Sequence, residues 1–200
     1  MPRSIQQVNV VILPSVLHAS TENGDSTLLL LRIVIRISRS MVHAAHPVFG
    51  TTEEEHPFGD SRFPGIDVIV VRETSEDIYA GFEHEVTDGV YEAVKVTTRA
   101  ACERIAHAAF SLARAQDRQK VTVVHKSNIM KRSDGMFLEV ARRVGEDYSE
   151  IETTDMIVDA LCMRLVRNPL DFDVLLALNL FGDIVSSLCS GLAGGITASP

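Results

Sequence analysis

The 200-residue chain has no tryptophan, and aromatic residues of all kinds make up only 6% of it. It has three cysteines, Cys102, Cys162 and Cys189, too few and too scattered for a disulfide framework or a zinc cluster, so they read as buried free thiols in a reducing compartment. It has no block of Lys and Arg. With 19 basic against 27 acidic residues the formal net charge is −8, which argues against a nucleic-acid partner, because phosphate binding needs a basic surface. It also lacks a long apolar run. The most apolar stretch, Leu28 to Ile37, is cut by Arg32 and Arg36 and is too short to cross a membrane. Val8 to Leu17 is apolar but is interrupted by Pro14 and preceded by Arg3 alone, a poor match to a secretory signal, so a cytoplasmic setting is expected. What remains is ordinary globular composition, 46% hydrophobic and 23% charged.

The chain divides near residue 57. Residues 1–57 carry no recognisable chemical motif. Leu28 to Leu31 followed by Ile33, Ile35 and Ile37 suggests one or two strands, and Glu53-Glu54-Glu55-His56-Pro57 reads as a solvated loop. From Phe58 to Pro200 the pattern is regular. Ile66 to Val71, Val121 to Val124 and Phe172 to Ala177 are short apolar runs expected to be strands buried on both faces. Asp88-Gly89 predicts a tight hairpin turn, with Val90, Val94 and Val96 on one face of its second arm. Helices are expected over Thr98 to Gln116, Gly135 to Asp147, Asp155 to Val166 (with Thr154 as its cap and Asn168-Pro169 as its stop) and Asp183 to Leu192 (stopped by Gly194-Gly195). Strands alternating with helices give an α/β fold.

Three polar segments follow buried strands, where α/β proteins build their sites. They are Arg72 to Tyr79, His125-Lys126-Ser127-Asn128, and Asn179 to Asp183. An arginine can grip a carboxylate with two hydrogen bonds, a lysine can serve as a base, and a tyrosine as an acid. Asp183, read as the first residue of a helix, is either a site carboxylate favoured by the helix dipole or only a cap. Asp155 and Asp159, four apart, could share a hard cation with Asp183, although the simpler reading is a helix cap and an exposed side chain. His125 follows a run of valines and reads better as a hydrogen-bonded core histidine than as a catalytic one. His84 and His107 read as surface residues.

These segments resemble one family. Val70 to His84 (VVRETSEDIYAGFEH), Val124 to Lys131 (VHKSNIMK), Asp134-Gly135, Asp155 to Asp159 (DMIVD) and Asn179 to Ile184 (NLFGDI) occur in the order found in the metal-dependent isocitrate and 3-isopropylmalate dehydrogenases. The wording is closer to the isocitrate branch. The resemblance implies oxidative decarboxylation of isocitrate, or of a related 2-hydroxy acid such as 3-isopropylmalate, to the 2-oxo acid and CO2, as in the tricarboxylic acid cycle. It implies Mg2+ or Mn2+ and NAD, with NADP possible. By resemblance Arg72 binds a substrate carboxylate, Lys126 is the base, Tyr79 the acid, Asp159 and Asp183 are metal ligands, and Asn128 lies beside the cofactor. Lys126 and Asp159 would be contributed to a neighbouring subunit's site, so a homodimer, or pairing with a paralogous subunit, is implied. The hairpin at Asp88-Gly89 would form an intersubunit clasp.

The departures set a second reading beside the first. Ser187 stands where the family carries a further aspartate, which weakens metal binding, and Leu178 stands where it carries proline or threonine. The family's N-terminal sheet is not recognisable in residues 1–57, and its adenosine-binding loop would follow Pro200. The expected chain is therefore mainly the small domain and clasp, 58–200, with the large domain incomplete. Such a chain is either part of an active dehydrogenase or a catalytically silent assembly or regulatory partner of one. An unrelated origin for residues 1–57 is a third reading.

Overall fold

A computed structural model describes the backbone of Ile33–Ser38, together with Phe63 and residues 65–193. The acidic segment Glu53 to Pro57, the leucines Leu28 to Leu31 and the stop at Gly194-Gly195 lie outside the described residues. Five strands form one sheet in the order β1-β2-β7-β5-β6. They are β1 (Ile33–Ser38), β2 (Asp67–Arg72), β5 (Lys120–His125), β6 (Glu152–Ile157) and β7 (Val174–Ala177). The last four run parallel, and β1 closes one edge antiparallel to β2, with Ile33 opposite Arg72 and Ser38 opposite Asp67. A separate hairpin, β3 (Glu83–Thr87) and β4 (Val90–Ala93), stands away from this sheet.

The alternation of the central strands sorts the core into two layers. Ile69, Val71, Val121, Val123, Val174 and Leu176 pack against α1 (Arg99–Ala115) and α2 (Ser133–Gly145). Val68, Val70, Val124, Leu175 and Ala177 point the other way, against α3 (Val158–Arg167) and α4 (Asn179–Leu192). Helices on both faces of a parallel sheet explain why β2, β5 and β7 read as continuous apolar runs rather than as alternating ones. Phe110 and Phe137 are fully buried on the first face, Leu161 and Leu165 on the second. Each such side chain contributes about 1.5 to 3 kcal/mol of hydrophobic stabilisation.

The α/β expectation holds, and three of its details are corrected. Asp155 to Ile157 is strand, not helix: β6 pairs with β5 from Glu152 opposite Lys120 to Ile157 opposite His125. Thr154 is therefore no helix cap; its hydroxyl shares a 2.9 Å hydrogen bond with that of Thr122 on β5. β6 is an edge strand, so its polar residues need no buried run, and cross-strand pairing overrides the local preference of the segment. The helix begins only at Val158, which removes the idea that Asp155 and Asp159 share a helix face. The last helix begins at Asn179, four residues before Asp183. The cysteines differ too: Cys102 and Cys189 are buried, with burial as the first cause pushing each thiol up to about 12, whereas Cys162 is only half-buried.

The hairpin has its expected turn. Gly89 has φ 72°, a conformation open to glycine, and its N–H donates to Glu85 Oε1 at 2.9 Å. Every residue of β3 and β4 is exposed, with Phe82, Val86, Val90, Tyr91 and Val94 bare around it.

Candidate active site

Four parallel strands bring four C-terminal ends to one edge of the sheet. Arg72 ends β2, Asn179 opens the helix after β7, Lys126 follows β5 and Asp159 follows β6. The expected site residues gather here in two clusters, each spanning a pair of neighbouring strands.

The first cluster spans β2 and β7. Arg72 Nη1 donates to Asp183 Oδ1 at 2.7 Å, and its Nε and Nη2 both donate to Asn179 Oδ1, at 2.9 and 2.7 Å. Asn179 is buried, and its amide donates to the Glu76 carbonyl at 2.9 Å. The Tyr79 hydroxyl donates to the other Asp183 oxygen at 2.5 Å, and the Arg72 guanidinium lies 5.3 Å from the Tyr79 ring centre. Asp183 therefore sits in the second turn of α4, held by Arg72 and Tyr79 rather than by the helix dipole. That bond to Asp183 is the main reason the Tyr79 phenol is raised above its ordinary value; burial and the Asp183 charge add to it, and Arg72 opposes. Gly182 makes room for this arrangement: a Cβ there would come within 2.6 Å of Arg72 Cγ.

The second cluster spans β5 and β6. Lys126 Nζ donates to Asp159 Oδ1 at 2.7 Å. The lysine hydrogen bond is the main cause holding the Asp159 carboxyl below its ordinary value. Asn128 is exposed on the turn after Lys126. His125 is a buried, hydrogen-bonded histidine, as expected, bonded to Asp155 at 3.1 Å. His84 and His107 are exposed.

Sequence reasoning missed what joins the clusters. Lys95, just past the hairpin, lies between two buried carboxylates, 2.5 Å from Asp134 Oδ1 and 3.9 Å from Asp77 Oδ2. The other Asp134 oxygen accepts from the Lys126 N–H at 2.7 Å. The Asp77 carboxylate accepts from Ile78 N at 2.8 Å and from Leu180 N at 3.2 Å. Asp77 has φ 80°, rare for a side chain larger than glycine, and a backbone bridge to Val96 holds it there. Glu76 caps the start of α1 through Thr98, and Glu73 accepts from Ser75 and Glu76. The acids of the Arg72-to-Tyr79 segment are thus mostly loop scaffolding. The sequence offered one signal, three acids packed into a short loop after a buried strand.

Among the described residues no group of three or more His, Cys, Asp or Glu side chains is placed to hold a metal ion. Asp159 and Asp183 lie in different clusters. The donors nearest Asp183 along its helix face are oxygens, with Ser187 exposed one turn on, and such donors suit a hard cation of the Mg2+ or Mn2+ kind. No helix among the described residues is long and apolar enough to cross a membrane.

Known proteins are similar to this chain. The isocitrate/isopropylmalate dehydrogenase family matches over residues 3–200. A 3-isopropylmalate dehydrogenase of Archaeoglobus fulgidus is 51% identical over 138 residues, covering 69% of this chain and 42% of the relative. An isocitrate dehydrogenase [NAD] catalytic subunit 5, mitochondrial, of Arabidopsis thaliana is 46% identical over 140 residues, covering 70% of this chain and 37% of the relative. The crystal structure of an isocitrate dehydrogenase from Methylococcus capsulatus superposes with a TM-score of 0.66 at 39% identity, covering 76% of this chain and 51% of that one. The chain spans about two fifths of the length of the curated relatives it matches. Both branches match over a similar span, so the likeness shows the family without separating the substrates. On its family match and these relatives, the chain belongs to the isocitrate/isopropylmalate dehydrogenase family of oxidoreductases.

Proposed function

We propose that this chain supplies catalytic groups for the NAD-linked oxidative decarboxylation of isocitrate or a close 2-hydroxy acid such as 3-isopropylmalate, with NADP as an alternative cofactor. The observation that carries the proposal is the pair of clusters at one sheet edge, an arginine with a tyrosine and an aspartate in one, a lysine with an aspartate in the other.

Arg72 is the substrate-carboxylate group. Asn179 fixes its plane through two hydrogen bonds, which leaves Nη1, now on Asp183, to meet a second anion. Tyr79 is the acid: its partner Asp183 keeps the phenol protonated, ready to give a proton to the carbon left after CO2 departs. Lys126 is the base for the substrate hydroxyl. Its Nζ is held at 2.7 Å by Asp159 Oδ1, which aims it along the sheet edge. Asn128, exposed on the same turn, is the cofactor contact. Asp159 and Asp183 are the proposed holders of Mg2+ or Mn2+, which when bound supplies Lewis-acid stabilisation of negative oxygen.

The two aspartates lie in separate clusters, and the hairpin exposes five large apolar side chains. Two-stranded hairpins are marginal alone. Both facts support a homodimer, or a paralogous subunit, in which this chain's Lys126 and Asp159 complete a neighbour's site. The cytoplasm is the setting we propose.

Purified chain given isocitrate or 3-isopropylmalate, Mn2+ and either cofactor should form the reduced nicotinamide. Lys126→Met and Tyr79→Phe should each lower that turnover by a factor of about 10² to 10⁴ while leaving the melting temperature in place. Turnover unchanged in both variants would remove the catalytic reading. One feature favours a silent assembly partner, the neutral Ser187 one turn from Asp183. On that reading the chain shows no turnover but co-purifies with a longer homologue. Ser187→Asp should tighten Mn2+ binding measured by calorimetry, and unchanged affinity would show that Asp183 is not part of a metal site.

A further inference from the structure

His125 is the last residue of β5 and is 3% exposed. Both of its ring nitrogens are engaged. Nδ1 lies 3.1 Å from the Ser127 N–H, and Nε2 lies 3.1 Å from Asp155 Oδ2. A backbone N–H only donates, so Nδ1 is the acceptor and the ring proton belongs on Nε2, which donates to Asp155. Asp155 is itself held by Arg142 Nη2 at 2.5 Å. Burial alone would raise its carboxyl, but the hydrogen bonds from Arg142 and His125 outweigh burial and hold it below its ordinary value. Donation thus runs from Ser127 through His125 to Asp155, which Arg142 meets from the other side.

That chain ends on the turn that carries Lys126 and Asn128. The Lys126 N–H is held by Asp134, and the Lys126 carbonyl accepts from Ile129 N at 3.0 Å and Met130 N at 2.9 Å. The Ser127 N–H is the remaining anchor at the point where the backbone leaves the strand.

We propose that His125 is a positioning residue for the Lys126–Asn128 turn: as an acceptor it fixes the Ser127 N–H, and Asp155 and Arg142 keep it in the tautomer able to accept. The effect on turnover rests on the proposed roles of Lys126 and Asn128; the hydrogen bond does not.

Two substitutions separate the nitrogens. His125→Asn keeps an acceptor near the place of Nδ1 and loses the donor to Asp155. His125→Gln keeps a donor near the place of Nε2 and loses the acceptor. Nitrogen-15 NMR of the labelled wild-type chain should show the Nε2-protonated tautomer and a coupling across the hydrogen bond between Ser127 N and His125 Nδ1. Hydrogen exchange at the Ser127 amide should stay within about threefold of wild type in His125→Asn and quicken about tenfold in His125→Gln, the size expected for losing one hydrogen bond. Under turnover, His125→Gln should lower kcat by about 10-fold or more with a smaller change in KM, and His125→Asn should recover most of it. A proton on Nδ1, an absent coupling, or equal quickening in both variants would overturn the proposal. Should both variants be insoluble, the tautomer and coupling of the wild-type chain decide it. Should the wild-type chain show no turnover, the proposed activity fails while the exchange and coupling still decide the role of His125.

Discussion

At the N-terminal edge of the parallel strands, Arg118 lies between Asp67 and Asp173; at the C-terminal edge, Arg72 lies between Asn179 and Asp183. The two arginines are equally sheltered, with side chains 11% and 12% exposed. Their partners are not. Arg118 Nη2 meets both oxygens of Asp67 at 2.9 Å, while Nη1 reaches Asp173 Oδ1 at 2.8 Å and the Asp67 carbonyl at 3.1 Å. The second Asp173 oxygen accepts from the N–H groups of Gln119 and Lys120. That knot ties the starts of β2, β5 and β7 together, with the Asp67 side chain 33% exposed and that of Asp173 22%. At the other edge Asp183 is 43% exposed and Tyr79, its second partner, 51%. The same ion pair is a lock where its carboxylates are more enclosed and an offered group where they are more open to water. The exposure of the partner, not of the arginine, tells the two apart.

Removing Arg118 should break the comparison most visibly. Arg118→Met leaves two partly enclosed carboxylates and the Asp67 carbonyl without their partner. It should destabilise the chain by about 2 to 3 kcal/mol, less than for a fully buried pair because Asp67 and Asp173 keep some contact with water. Urea unfolding followed by circular dichroism measures it, and a loss below about 0.5 kcal/mol, the range of an ordinary surface change, would mean the knot is not a lock. Gly182→Ala strikes the other edge. Its Cβ would meet Arg72 Cγ at 2.6 Å and Arg72 Cβ at 2.9 Å, so the arginine must swing away from Asn179 and Asp183. The expected cost is about 1 to 2 kcal/mol. In an active preparation the KM for substrate should rise as Arg72 leaves its place. Wild-type stability together with wild-type KM would show that Arg72 has freedom the packing denies it.

What could be read from the sequence follows the same division. The central strands were legible because burial on both faces leaves unbroken apolar runs, as in Ile66 to Val71. Helix α1 was legible from the alanine-rich run that starts at Thr98; the cap that Thr98 supplies was not read. β6 was not: an edge strand with Thr153, Thr154 and Asp155 has no apolar run, and only its pairing with β5 makes it a strand. The candidate residues past strand ends could be singled out because a polar segment after a buried strand is a signal in itself. Lys95 was not, and Asp134 was quoted only as part of a motif with no role, because their importance lies in meeting each other across 39 positions of sequence. Asp77 was singled out only as part of a polar run, since nothing in its residue type announces a positive φ. Asp183 was placed at a helix start because its partner Arg72 lies 111 residues away, beyond any local rule.

A third arginine–carboxylate pair, Arg142 with Asp155, tests the rule on exposure with the smallest expected effect. The Asp155 side chain is 30% exposed, within the range of Asp173 and Asp67 (22% and 33%) and less open than Asp183 (43%). Its carboxyl is held below the ordinary value of about 3.9 despite the opposing effect of burial, because Arg142 and His125 both bond its charged form. A carboxylate whose value is lower folded than unfolded adds stability above the unfolded value, and that stability disappears as pH falls through the folded one. Wild-type chain should therefore lose more stability than Asp155→Asn as pH drops from about 5 to about 3, and the two curves should run parallel above pH 5. Parallel curves throughout would mean that Arg142, itself 56% exposed, holds Asp155 too loosely to favour its charge. Partner exposure would then weigh more heavily than a 2.5 Å contact, and the histidine behind Asp155 would have to keep its tautomer through Ser127 alone.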